Sequence, residues 1–219
     1  MDHDTRYHED PAMSDTGARR TRQIMQELRA YWEGLRAGRL VPLRAEVDPR
    51  GIERALEYAF ILDRIAPGIA RFRLAGMHLN DLMGMEVRGM PISAMLVPAS
   101  RDRMSEVLEQ VFAGPAIAEI DMAAETGLGR PALGAKALLL PLRSDAGAVN
   151  RCLGVLISEG VPGRTPRRFA LTDSHITALR AATVPPGLAE PAVPFTGRAP
   201  LSPEERRAQL RLVVSRDGT

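Results

Sequence analysis

The stretch Phe60-Ile61-Leu62-Asp63-Arg64-Ile65-Ala66-Pro67-Gly68-Ile69-Ala70-Arg71-Phe72-Arg73-Leu74-Ala75-Gly76 decides the reading of this chain. Apolar residues from Phe60 to Ile65 and from Ile69 to Leu74 flank the breaker Ala66-Pro67-Gly68, so the segment reads as two strands joined by a tight turn. In Arg71-Phe72-Arg73-Leu74 charge alternates with apolar bulk, which predicts that Phe72 and Leu74 face a core together. Downstream, Met77, Leu79, Leu82 and Met83 predict a short helix closed by Gly84. Gly89 and Pro91 mark a loop, and Ile92–Leu96 a further turn. A longer helix from a Ser100 cap to Phe112 carries the stripe Met104, Val107, Leu108, Val111 and Phe112 and is ended by Gly114-Pro115. Three strands follow, near 116–124, 135–143 and 151–158, with turns over 127–134 and 144–150. Strands this close in sequence, with short connections, point to an antiparallel meander rather than βαβ units.

Upstream, Ile24, Leu28, Tyr31, Trp32 and Leu35 recur at helical spacing and stop before Gly38. This stripe holds the single tryptophan, so it must dock on the chain's own core or on a second copy. Asp48-Pro49 starts another short helix, with Ile52, Ala55, Leu56 and Ala59 as its buried face. Residues 1–20 read as a disordered leader and 162–219 as a Pro/Arg-rich tail, around a domain over 21–161. Two islands in the tail read as helical, Asp173 to Arg180 and a capping box at Ser202-Pro203-Glu204-Glu205 leading into Leu210–Val214.

With 219 residues, 45% of them hydrophobic, the chain can build one good core. The net charge is +2, and its arginines are scattered among acids with Lys136 as the sole lysine, which gives no footprint for nucleic acid. The single Cys152 excludes an intramolecular disulfide and suits a reducing compartment. No apolar stretch resembles a signal peptide or a membrane span, so a cytoplasmic location is expected.

The sequence from Trp32 to Gly89 resembles the PAS family found in many stand-alone alphaproteobacterial proteins. The matching residues are Trp32 with Leu35-Arg36, Val41-Pro42-Leu43-Arg44, Asp48-Pro49-Arg50, Phe60-Ile61-Leu62-Asp63, Arg71-Phe72-Arg73-Leu74-Ala75-Gly76, Leu79, Leu82, Gly84 and Arg88-Gly89. Met77 departs from the threonine expected after Leu-Ala-Gly. The resemblance implies an α+β, PAS-like fold. It would comprise a five-stranded antiparallel sheet, short helices inserted between strands 2 and 3, and an N-terminal amphipathic helix. It also implies a sensory or regulatory role in signal transduction, and names no ligand or cofactor.

A search for chemistry returns little. There is no Walker motif, no nucleophile elbow and no His-Glu-x-x-His. Gly127-Leu128-Gly129-Arg130 lies between strands and reads as a hairpin turn rather than a phosphate loop. Asp2, His3, Asp4, His8, Glu9 and Asp10 lack the fixed geometry a metal needs. His78 reads as a surface or partly buried histidine rather than a haem ligand, and His175 lies in the tail without an expected partner. Cys152, in Asn150-Arg151-Cys152-Leu153, enters a strand and reads as a small core residue rather than a photoreactive thiol. Met77, Met83, Met85, Met90, Met95 and Met104 cluster around the expected cavity, as filler or as the lining of an adaptable pocket. The ligand-pocket candidates are therefore Phe72, Leu74, Met77, His78, Met83, Met95, Met104 and Leu108, and no residue is assigned to catalysis or to metal.

The function expected is a binding module, not an enzyme. It would act through protein partners in a signalling pathway, with a small molecule as a conceivable gate. No output domain follows in these residues, so the signal is expected to leave by contact. Ile24, Leu28, Tyr31, Trp32 and Leu35 are the interface candidates, through which a homodimer is expected. Two rivals stand beside this. An enzyme would need acids such as Asp63, Glu86 and Asp121 to meet in one pocket. A nucleic-acid accessory protein would act through Arg167-Arg168 and Arg206-Arg207 in the tail.

Overall fold

The structure, a computed structural model, describes residues 11–181. Helix α1 spans Pro11–Arg36, α2 Met77–Met83 and α3 Arg101–Phe112. The strands are β1 Ala59–Ala66, β2 Ile69–Ala75, β3 Ala116–Ala124, β4 Gly134–Arg143, β5 Val149–Glu159 and β6 Phe169–Ala178. They form one antiparallel sheet in the order β2-β1-β5-β4-β3-β6. Six strands, not five, make up this sheet. The sixth comes from the segment whose prolines read as tail, and Asp173 to Ala178 is strand where a helix was expected. The helix expected from about Ile24 begins at Pro11, inside the stretch read as leader. The capping box at Ser202, Arg206-Arg207 and the acidic and histidine residues before Asp10 lie outside the described residues.

The central strands β1, β3, β4 and β5 alternate their side chains between two cores, as the period of two requires. On the inner face Phe60, Leu62, Phe72, Ile120, Leu139, Cys152 and Leu156 pack against α2 and α3. The full stripe of α3 (Met104, Val107, Leu108, Val111, Phe112) is buried there. On the outer face Ile61, Leu138, Leu140, Leu142, Leu153, Val155 and Ile157 pack against Ile24, Leu28 and Trp32 of α1. Trp32 is fully buried, and its Nε1–H donates to the Pro141 carbonyl at 2.9 Å. The apolar stripe of α1 is thus satisfied within its own chain, which answers the choice left open by its spacing.

Two local expectations change. The segment Pro49–Ala55 is a 3-10 helix whose Asp48 carboxylate accepts from the Arg50 N–H at 2.9 Å; Ile52 and Ala55 are buried, but Leu56 turns to solvent. Ser100 does not cap α3 with its side chain. Its Oγ instead accepts the Leu171 N–H of β6 at 3.0 Å.

That bond belongs to a set which fastens β6 and its approach. Val97 N–H donates to the Phe169 carbonyl and Arg103 reaches the Leu171 carbonyl. Before the strand, Arg167 is fully buried with no carboxylate partner among the described residues, and its guanidinium donates to the carbonyls of Pro162, Glu125 (3.1 Å) and Pro131 (2.7 Å). Burial, with Arg130 beside it, pulls its pKa below the usual arginine range.

Candidate functional site

The residues expected to line a ligand pocket divide into two groups. Phe72, Met83, Met95, Met104 and Leu108 share the inner core and are each less than 5% exposed. Leu74 and Met77 stand away from it, about half and two-thirds exposed. The physical cause lies in β2. Opposite Ile61–Leu62 of β1 the register runs Leu74 then Phe72, so Arg73 is an extra residue in a β-bulge. A one-residue slip turns every later side chain to the other face. Leu74 therefore leaves the inner core that Phe72 keeps.

On the outer face Leu74 meets a shallow apolar pocket of about 210 Å³. Val47, Pro49, Ile52, Leu56, Ile61 and Leu153 are among the residues that line it, and Arg44 is the charged one. Ile65, the extra residue of a second irregularity in β1, and Ile69 are also exposed on the β1–β2 hairpin; with Leu56 and Leu74 these side chains are 42% to 56% exposed. Arg71 and Arg73 stand exposed on the same hairpin. Neither they nor Arg44 pair with a carboxylate among the described residues. The hairpin itself is rigidly seated. Glu109 of α3 accepts from Arg64 at 2.8 Å and from the Gly68 N–H at 2.5 Å.

A larger groove of about 390 Å³ lies between α1 and the outer faces of β3, β4 and β6. Two ion pairs cross it, Arg29 with Glu119 at 2.7 Å and Lys136 with Asp121, while Arg22 and Asp173 also line it. His175, for which no partner was expected, lies on this groove and sits opposite Glu119 in the sheet.

The remaining expected residues fall as follows. Asp63 is buried and faces Arg151 Nε at 3.0 Å, an ion pair whose angle falls short of a hydrogen bond. It sits three strands across the sheet from Asp121 of β3 and about six residues further along, roughly 25 Å away. Glu86 is exposed in the loop after α2, so the structure does not gather these acids in one pocket. Arg167 is buried and unavailable to a nucleic acid. Gly127–Arg130 is the hairpin turn expected. Burial pushes the Cys152 thiol up to about 12, which keeps it protonated and unreactive in the fold.

His78 is half-buried at the start of α2, edge-on to Tyr58 with ring centres 4.9 Å apart. Its Nε2 accepts the Ser158 N–H at 3.2 Å and lies 3.1 Å from Ser158 Oγ. Only an unprotonated Nε2 can accept. Burial lowers its pKa, opposed by the carboxylates of Glu57 and Asp81. The neutral form is thus the folded form. Its contribution to stability is present above the ordinary histidine pKa and is lost as the pH falls through the lowered one. Urea midpoints measured between pH 7.5 and 5 are expected to fall across this window, and the part due to His78 to vanish in His78→Gln.

Residues 20–157 match the PAS domain family, and the chain belongs to it. No functionally curated protein matches it in sequence. Among solved structures, the chain is similar to the light state of the blue-light photoreceptor Aureochrome1 LOV, at 13% identity and a TM-score of 0.35 over 51% of this chain and 88% of that one. An RNA-binding Light-Oxygen-Voltage receptor shares 19% identity and a TM-score of 0.37 over 54% of this chain, which spans 35% of the receptor. A Light-Oxygen-Voltage domain studied with a flavin analogue gives 16% and 0.35, over 51% of this chain and 83% of that one. No helix among the described residues is long and apolar enough to cross a membrane.

Proposed function

We propose that this chain is a cytoplasmic regulatory PAS module that works in signal transduction by binding another protein. The observation that carries the proposal is the half-exposed apolar surface of Leu56, Ile65, Ile69 and Leu74 on a folded domain whose other large apolar side chains are mostly buried. Exposed apolar side chains gathered on one hairpin of such a domain mark an interaction site. Of the side chains through which a homodimer was expected, Ile24, Leu28 and Trp32 pack within the chain, which favours a heterologous partner. A small-molecule gate would have to act by repacking Met83, Met95 and Met104, whose flexible thioethers suit that task. The test is photo-crosslinking in the native host, with probes at Leu74, at Gln26 in the groove and at Asp145 on the far hairpin. A single recurrent protein adduct from any of the three supports the role. Absence of adducts at all three, with turnover of a small molecule by the isolated chain, would overturn it.

A further inference from the structure

Resting on that reading, we infer that the outer face of the β1–β2 hairpin takes an acidic amphipathic helix from the partner. The surface runs from the pocket at Leu56 and Leu74 to Ile69 at the turn, five residues along β2. That is roughly 16 Å, too long for a small ligand and equal to about three helical turns. A helix presents apolar side chains at three- and four-residue intervals to such a surface. The pocket of about 210 Å³ holds one large side chain. Charge sets the sign of the partner's flanks. Arg44 stands at the pocket, Arg71 lies between Ile69 and Leu74, and Arg73 is held out by its bulge, all without carboxylate partners among the described residues. The acids nearby are Glu53 and Glu57 beside Leu56, and Asp63, which Arg151 already neutralises. The balance along β2 is positive and favours a partner carrying carboxylates on both sides of its apolar stripe.

The experiment uses the full chain and two synthetic amphipathic helices of about 18 residues, identical except that Glu in one is Lys in the other. Binding is followed by fluorescence anisotropy and mapped by methyl NMR. The Glu helix is expected to bind at least about tenfold more tightly than its Lys twin, with shifts confined to Leu56, Ile65, Ile69 and Leu74. Arg71→Glu with Arg73→Glu inverts the preference, and Leu74→Asp abolishes binding; circular dichroism and the unfolding midpoint verify that each variant is folded. Equal affinity for the two helices, binding of neither, or shifts located in the groove under α1 would overturn the inference. So would sedimentation as a dimer that Leu74→Asp splits, which assigns the surface to a second copy. A crosslinked partner reached from Gln26 or Asp145 alone would leave the regulatory role standing and remove only this surface.

Discussion

Trp32→Ala is expected to lower the unfolding free energy by about 3–5 kcal/mol in urea titration. The indole is the largest fully buried side chain and anchors α1 to the outer face of the sheet. Truncation leaves a cavity in the core between α1 and the outer face of the sheet. It also leaves the Pro141 carbonyl without its donor. Trp32→Phe fills most of the volume and loses only the hydrogen bond, so it costs about 1–2 kcal/mol. The order Ala worse than Phe separates packing from the N–H contribution. An unchanged midpoint in Trp32→Ala would mean that α1 is not docked as described. Domains of this size hold about 5–15 kcal/mol in all, so the alanine variant stands close to unfolding at physiological temperature.

Arg167→Met is the second large effect, and its sign needs two terms weighed. The substitution removes a desolvated charge that no carboxylate offsets, which taken alone is favourable. It also strips the donor from three carbonyls in two different loops, those of Glu125 and Pro131 and that of Pro162. None of the three accepts a backbone bond from elsewhere among the described residues. Each lost hydrogen bond from a charged donor costs about 1.5–3 kcal/mol, so the loss outweighs the relief and a net cost of roughly 3 kcal/mol is expected. The damage is local. Hydrogen exchange over residues 160–178 accelerates while α3 and β4 keep their protection. Uniform acceleration across the whole domain, or none, would show that Arg167 does not act as the fastener of β6.

Much of this architecture was legible in the sequence, and the exceptions share a cause. The spacings that named α2, α3 and β3 to β5 are strong local periodicities, and the observed boundaries differ by a residue or two. Strand β6 was missed because prolines dominate the composition around it. Its own signal, Phe169 and Leu171 at a spacing of two followed by Thr172, Ile176 and Thr177, is short. The exposed site was misread through a single residue. Alternation in Arg71-Phe72-Arg73-Leu74 puts Leu74 beside Phe72 only if the strand is regular. The bulge at Arg73 is set by pairing with β1, which no local pattern reports. Leu56 was assigned to a buried α-helical face, whereas the tighter 3-10 winding turns it outward.

The strand order also governs how the domain reaches its native state. β1 and β2 are hairpin neighbours, and β3, β4 and β5 follow one another, so each group can form from nearby residues. Joining the groups requires β1 to find β5, with Leu62 opposite Cys152. That closure spans every inserted helix and loses chain entropy before its contacts compensate. The slow step of folding is therefore expected to be the meeting of two pieces of sheet at the β1–β5 seam. Substitutions at Leu62 or Leu153 should slow folding, whereas changes at Phe169 should mainly speed unfolding.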